Sequence, residues 1–127
     1  MFLLQLLINA VADALEAFYP DQIKLGVFQP HLFSRTRDFV TEFKQALARF
    51  DEVLLLDIYH ARELPMEGIT STLLVDESHA ATQLIDKQML AEMIAKSAAT
   101  VVAIMGAGDI AFEVPAVIQT LKNQQYA

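Results

Sequence analysis

The sequence predicts a three-layer α/β domain, built on a mostly parallel sheet with helices on both faces. Two observations carry that expectation. The apolar runs at residues 23–28, 53–59 and 100–105 lack polar alternation, as strands covered on both faces do. They are separated by segments whose apolar residues recur at helical spacing, the pattern of strand–helix–strand units with right-handed crossovers. The 127 residues, 54% of them hydrophobic, suit one domain, 1–127, with a substantial core.

A first helix is expected from Leu4, Leu7, Ile8, Val11, Leu15 and Phe18, which share one face, and should stop near Pro20. Leu3 and Leu6 lie off that stripe. The helix is therefore either deeply buried or in contact with a surface beyond its own core. Strand 23–28 leads through a polar loop to a helix over residues 37–50, with Phe39, Val40, Phe43, Leu47 and Phe50 inward. Strand 53–59 follows, then a loop over 60–68 punctuated by Pro65 and Gly68. A short helix over 70–75, a short strand over 83–85 and a helix over 87–97 come next. Strand 100–105 ends in the turn Gly106-Ala107-Gly108, after which Asp109 is expected to cap a last helix to about Lys122. Pro115 leaves a kink or a later helix start open.

Composition sets limits. The formal net charge is -7, which argues against a nucleic-acid partner, since phosphate binding needs a basic face. Without cysteine there are no disulfides, thiolate zinc sites or thiol nucleophiles. His31, His60 and His79 lack metal-ligand spacing, so no metal site is expected. The uncharged stretch 1–12 has no basic lead and is too short to span a bilayer, which implies no membrane partner and a cytoplasmic location.

In a parallel sheet the loops that leave the strands gather at one edge, where α/β domains place ligands. Three such loops draw attention. In the first, Pro30-His31-Leu32-Phe33-Ser34-Arg35-Thr36-Arg37-Asp38, the guanidinium of Arg35 or Arg37 suits a carboxylate or phosphate. His31 and Ser34 offer hydrogen bonds, and Asp38 could cap the helix or hold an arginine. The alternative is a helix start with solvated charges. In the second loop, Asp57, Tyr59 and Glu63 stand out. The carboxylates could accept a proton, bind an amine or pair with an arginine, and loop-shaping ion pairs are the alternative for Arg62 and Glu63. The third, Gly106, Gly108 and Asp109, matches a relaxed dinucleotide pattern, but that pattern belongs at a first strand with an acidic residue about 20 positions on. A tight turn presenting N–H groups to a neighbour or ligand fits better. The chain has no Gly-x-x-x-x-Gly-Lys-Ser/Thr loop, serine elbow or paired-carboxylate motif, so no catalytic residue is assigned.

Together these segments resemble a known family. Phe28-Gln29-Pro30-His31 with Ser34-Arg35-Thr36-Arg37-Asp38, then Leu56-Asp57-Ile58-Tyr59, Ala61, Glu63, Pro65 and Gly68, then Gly106-Ala107-Gly108-Asp109-Ile110, resemble the C-terminal domain of the Mur ligases. The likeness is to the branch that joins L-alanine to UDP-N-acetylmuramate in peptidoglycan synthesis. It implies a Rossmann-like fold and an ATP- and magnesium-dependent amide-forming reaction through an acyl-phosphate in the cytoplasm. It further implies that Arg35 holds the alanine carboxylate with His31 in the same pocket, while Ser34, Arg37, Asp38, Asp57, Tyr59 and Glu63 support them and Gly106, Gly108 and Asp109 turn near the ligand. UDP-N-acetylmuramate and ATP would be held by N-terminal and central domains, with no cofactor bound by this chain alone. Leu32 stands where many members have a second carboxylate-binding arginine. Residues 1–7 replace an Asp-Asp-Tyr-x-His-His-Pro segment. The expectation is a fragment inactive by itself. The rivals are a related ligase that adds a peptide, against which His31 and Arg35 argue, and a stand-alone module forming a homodimer through its N-terminal helix.

Overall fold

In the computed structural model, which describes residues 3–75, 79 and 81–125, the sheet is organised around one buried strand. β1 (Lys24–Gln29) is buried at every position. It pairs in parallel with β2 (Glu52–Leu55) on one side and β4 (Val101–Gly106) on the other. β3 (Thr82–Leu84) adds to β2, giving the order β3-β2-β1-β4 with all neighbours parallel. Because β2 and β4 flank β1 on opposite sides, the connection direction reverses across β1, the arrangement that opens a crevice at the carboxyl ends of an open sheet.

Helices cover both faces, as the unalternated strands require. On one face α1 (Leu3–Phe18) and α3 (Val40–Leu47) pack Ile8, Ala12, Phe43, Ala46 and Leu47 against Phe28, Val53, Leu55 and Met105. On the other, α4 (Leu90–Lys96) and α5 (Val114–Gln125) pack Leu90, Ile94 and Val117 against Leu25, Val27, Leu54 and Leu56. The expected three-layer Rossmann-like architecture with a parallel sheet is therefore what the chain adopts.

Four boundaries differ from the expectation, each for a tertiary reason. The helix expected at 37 begins earlier, as α2 (Phe33–Asp38), because its first N–H groups find a carboxylate on a distant loop. At Phe39 the backbone leaves helical dihedrals, the side chain packs on the core, and α3 follows. The strand expected to reach residue 59 ends its ladder at Leu55, since Pro30 on the paired chain has no N–H to continue it. Pairing resumes one step later, with Tyr59 N–H donating to Pro30 O at 2.8 Å and Leu32 N–H to Tyr59 O at 2.9 Å. Asp109 does not cap a helix: a 3-10 turn (Asp109–Glu113) precedes α5, with no side-chain cap, so Pro115 falls in the first turn of α5, where its missing N–H costs nothing. Residues 71–74 form one 3-10 turn, in which Thr70 accepts from Thr72 N–H.

On α1 the inward stripe is Ile8, Val11, Ala12 and Leu15. Leu7 and Phe18, expected on it, are 52% and 77% exposed, Leu7 lying at the stripe's edge and Phe18 at the helix's last residue. Met1, Phe2 and the side chains of residues 3–5 lie outside the described residues, so the reading of Leu3 and Leu4 does too. No helix among the described residues is long and apolar enough to cross a membrane.

Gly26 is closely packed in the core. A Cβ there would lie 2.9 Å from Cγ of the buried Phe50 ring. Gly26→Ala should therefore destabilise the chain by about 1–3 kcal/mol, through forced repacking against β1. Urea unfolding checks this: an unchanged midpoint would mean that Phe50 is not seated on that strand.

Candidate functional site

The carboxyl ends of all four strands meet at one edge, where a cleft of about 350 Å³ opens. Gln29 at the end of β1, residues 56–60 after β2, residues 86–88 after β3 and Asp109 after β4 line it. Its floor is a polar staple. Gln29 is buried; its Nε2 donates to Asp109 Oδ1 at 2.6 Å and its Oε1 accepts from Ile110 N–H at 3.1 Å. Lys87 Nζ donates to the other carboxylate oxygen, Asp109 Oδ2, at 2.6 Å. The Lys87 ammonium first and the Gln29 amide second hold the Asp109 carboxyl below the usual carboxylate range, and Lys87 is raised in return by the same contact.

Tyr59 is the wall. The imidazoles of His31 and His60 lie roughly parallel to its ring, with centroids 5.9 Å and 6.3 Å away. The Gly106-Ala107-Gly108 turn fits against it. A Cβ on Gly108 would lie 2.5 Å from Tyr59 Cγ and 2.6 Å from Gln29 Oε1. The glycine here permits close approach to the chain's own side chains, so the turn packs beside the cleft.

A second cluster sits on α2. Glu63 accepts from Ser34 N–H at 3.1 Å and from Ser34 Oγ–H, and also from Phe33 N–H. These bonds, the hydroxyl's first, hold the Glu63 carboxyl below its ordinary range. Arg37 pairs with Asp38 at 2.8 Å in the open and reaches Met66 Sδ at 3.8 Å. Asp38 therefore holds Arg37 rather than Arg35, and Glu63 holds a helix rather than an arginine. Arg62 is exposed. Arg35 is half-buried, with no hydrogen-bonding or ionic partner for its guanidinium among the described residues.

The structure thus brings Asp57, Tyr59 and Asp109 together around the cleft, stacks His31 on Tyr59 outside the cleft's lining, and joins Ser34 and Glu63 at α2, with Arg35 next in chain. Arg35 does not itself line the cleft. The sequence reading passed over Gln29, Asp86, Lys87 and Gln88 as site residues. Asp86, Lys87 and Gln88 were findable, since they directly follow the short strand expected at 83–85 and so must reach the same edge. Gln29's role was not, because its partners are 80 residues away. Among the described residues no group of three or more His, Asp or Glu side chains could hold a metal ion.

Comparison with known proteins decides the relationship. The chain is 52% identical over 118 residues to the UDP-N-acetylmuramate–L-alanine ligase of Christiangramia forsetii, covering 92% of this chain and 26% of that protein. Over that stretch the chain belongs to the family of the UDP-N-acetylmuramate–L-alanine ligases. The ligase of Flavobacterium psychrophilum is 53% identical over 104 residues, 81% of this chain and 23% of its own length. That of Flavobacterium johnsoniae is 50% identical over 117 residues, 91% and 26%. This member of the family spans about a quarter of the length of the curated relatives it matches. No protein-family model matches the chain.

Asp109 gives a pH test. Its folded pKa lies below its unfolded value, so its contribution to stability is fully present above the unfolded pKa and is lost as pH falls through the folded one. The stability gap between wild type and Asp109→Asn should hold steady above about pH 5 and shrink below about pH 4. Chemical denaturation at several pH values reads it; a gap independent of pH would show that Asp109 is not held ionised by Lys87 and Gln29.

Proposed function

We propose that this chain is the C-terminal, amino-acid-binding domain of an ATP-dependent ligase that joins L-alanine to UDP-N-acetylmuramate in cytoplasmic peptidoglycan synthesis. Arg35 grips the alanine carboxylate, and His31 stands beside it on the same loop. The nucleotide sugar, ATP and magnesium belong to domains like those of the full-length relatives, and the chain alone has no ligase activity. The observation that carries this reading is the selective pairing on α2. Arg37 is taken by Asp38 and Glu63 by Ser34, while the half-buried Arg35 is left for an anion. A charge-assisted fork holds a carboxylate still while the free amine attacks an acyl-phosphate, which is the positioning such a reaction requires. Asp57, Tyr59 and Asp109 shape the adjoining cleft, where the rest of a closed site would complete the pocket.

Titrating the 15N-labelled chain with L-alanine, up to about 100 mM, tests the reading. Resonances of His31 and residues 33–37 should shift, and Arg35→Ala should weaken the response about 10- to 100-fold, the value of a charge-assisted pair. Ethylamine, without a carboxylate, should produce no shift. Equal responses in wild type and Arg35→Ala would sink the assignment.

A second reading has its own observation: Leu6 and Leu7 are 58% and 52% exposed on α1. If that face closes a homodimer, sedimentation will give a mass that rises with concentration, and the double change Leu6→Glu with Leu7→Glu will return it to monomer. A monomer at every concentration removes this reading.

A further inference from the structure

α2 begins without a cap of its own. Its preceding residue, Leu32, has φ 70° and ψ 135° and no side chain that can accept a hydrogen bond. That backbone conformation is uncommon for a bulky residue and persists only where its surroundings impose it. Here they do: Leu32 N–H donates to Tyr59 O, and Leu32 O accepts from Thr36 N–H at 3.2 Å and Thr36 Oγ1 at 2.9 Å. Two of the remaining donors of the first turn, on Phe33 and Ser34, are taken by Glu63, 29 residues further along the chain from Ser34. Arg35 follows Ser34 directly, so the direction in which its side chain leaves the helix is set by a turn that Glu63 completes.

We infer that Glu63 is the positioning residue for Arg35: its carboxylate caps α2 from the loop after β2 and thereby fixes the guanidinium for an anionic ligand without neutralising it. The inference rests on the amino-acid-binding reading for the identity of that ligand, and on geometry alone for the positioning. Two features make Glu63 suited to the task. Both carboxylate oxygens are engaged by Ser34, so the charge is spent on N–H and O–H donors instead of on Arg35. The same loop is already joined to the α2 entry through the Leu32–Tyr59 and Tyr59–Pro30 bonds, so the cap arrives on a fixed backbone. If removing the cap lowers the fraction of molecules with Arg35 in place, the apparent affinity falls by that same fraction.

The test uses the 127-residue chain with Glu63→Ala, Glu63→Gln and, as a control for general destabilisation, Ser97→Ala, which breaks a bond to Glu52 away from this edge. Backbone order parameters are measured without ligand, and the dissociation constant for L-alanine separately. In Glu63→Ala the amides of residues 33–35 should fall from about 0.85 to below about 0.6, and alanine affinity should drop about tenfold. Glu63→Gln keeps one oxygen for Ser34 N–H and should restore part of both; it also carries the test if the alanine variant does not fold. Ser97→Ala should change neither. Unaltered order at residues 33–35 in the Glu63 variants, or lost order with unaltered alanine affinity, would overturn the inference. If wild type fails to respond to alanine at all, the amino-acid reading falls, while the ligand-free order parameters still decide whether Glu63 holds α2.

Discussion

Everything at the carboxyl edge hangs on a single constraint, the burial of β1 on both faces and both sides. With β2 and β4 hydrogen-bonded along its flanks and helices above and below, the strand has no freedom to slide. A shift of one residue would exchange Leu25 and Val27 with Gly26 and Phe28 between the two cores, and Phe50 has room only opposite the glycine. The strand's last residue is therefore delivered to a fixed point. Gln29 can reach Asp109, and Pro30 can receive Tyr59, because register leaves them nowhere else to be.

From that point the site is assembled by contacts distant in sequence. Gln29 joins the exit of β1 to the turn after β4, Lys87 ties in the segment after β3, and Tyr59 and Glu63 bring in the loop after β2. Each link uses a polar group that would otherwise be left poorly satisfied at a sheet edge. The charges are sorted in the process, and on α2 Arg35 is a half-buried cation with no partner among the described residues. At this edge the Asp109 and Glu63 carboxylates are both taken by partners other than Arg35.

The sequence made the architecture legible because it depends on runs and spacings. Strands 23–28 and 100–105, the inward face of α3 and the Ile8, Val11 and Leu15 part of α1's could be read from apolar pattern alone, since burial on two faces leaves little polar residue in a strand. What stayed hidden was pairing across the fold. The early start of α2 needs Glu63, the stop of β2 at Leu55 needs Pro30 opposite, and the true partners of Asp109 are Gln29 and Lys87. Local rules saw Asp109 beside a helix start and made it a cap; the carboxylate found stronger donors at a distance. Of the candidate residues, the loops were legible from topology. The division of labour within them, Arg37 to Asp38 and Ser34 to Glu63, was not.

The fit of Gly108 against Tyr59 and Gln29 has a thermodynamic reading. The turn after β4 and the aromatic wall after β2 interlock with no space for a side chain, so neither can be reshaped independently. Much of the conformational entropy that ordering such loops costs is therefore lost when the chain folds, not when a ligand arrives. For a ligand as small as the proposed amino acid, with few atoms to offset any ordering, a rim already stitched together would let weak contacts register as binding.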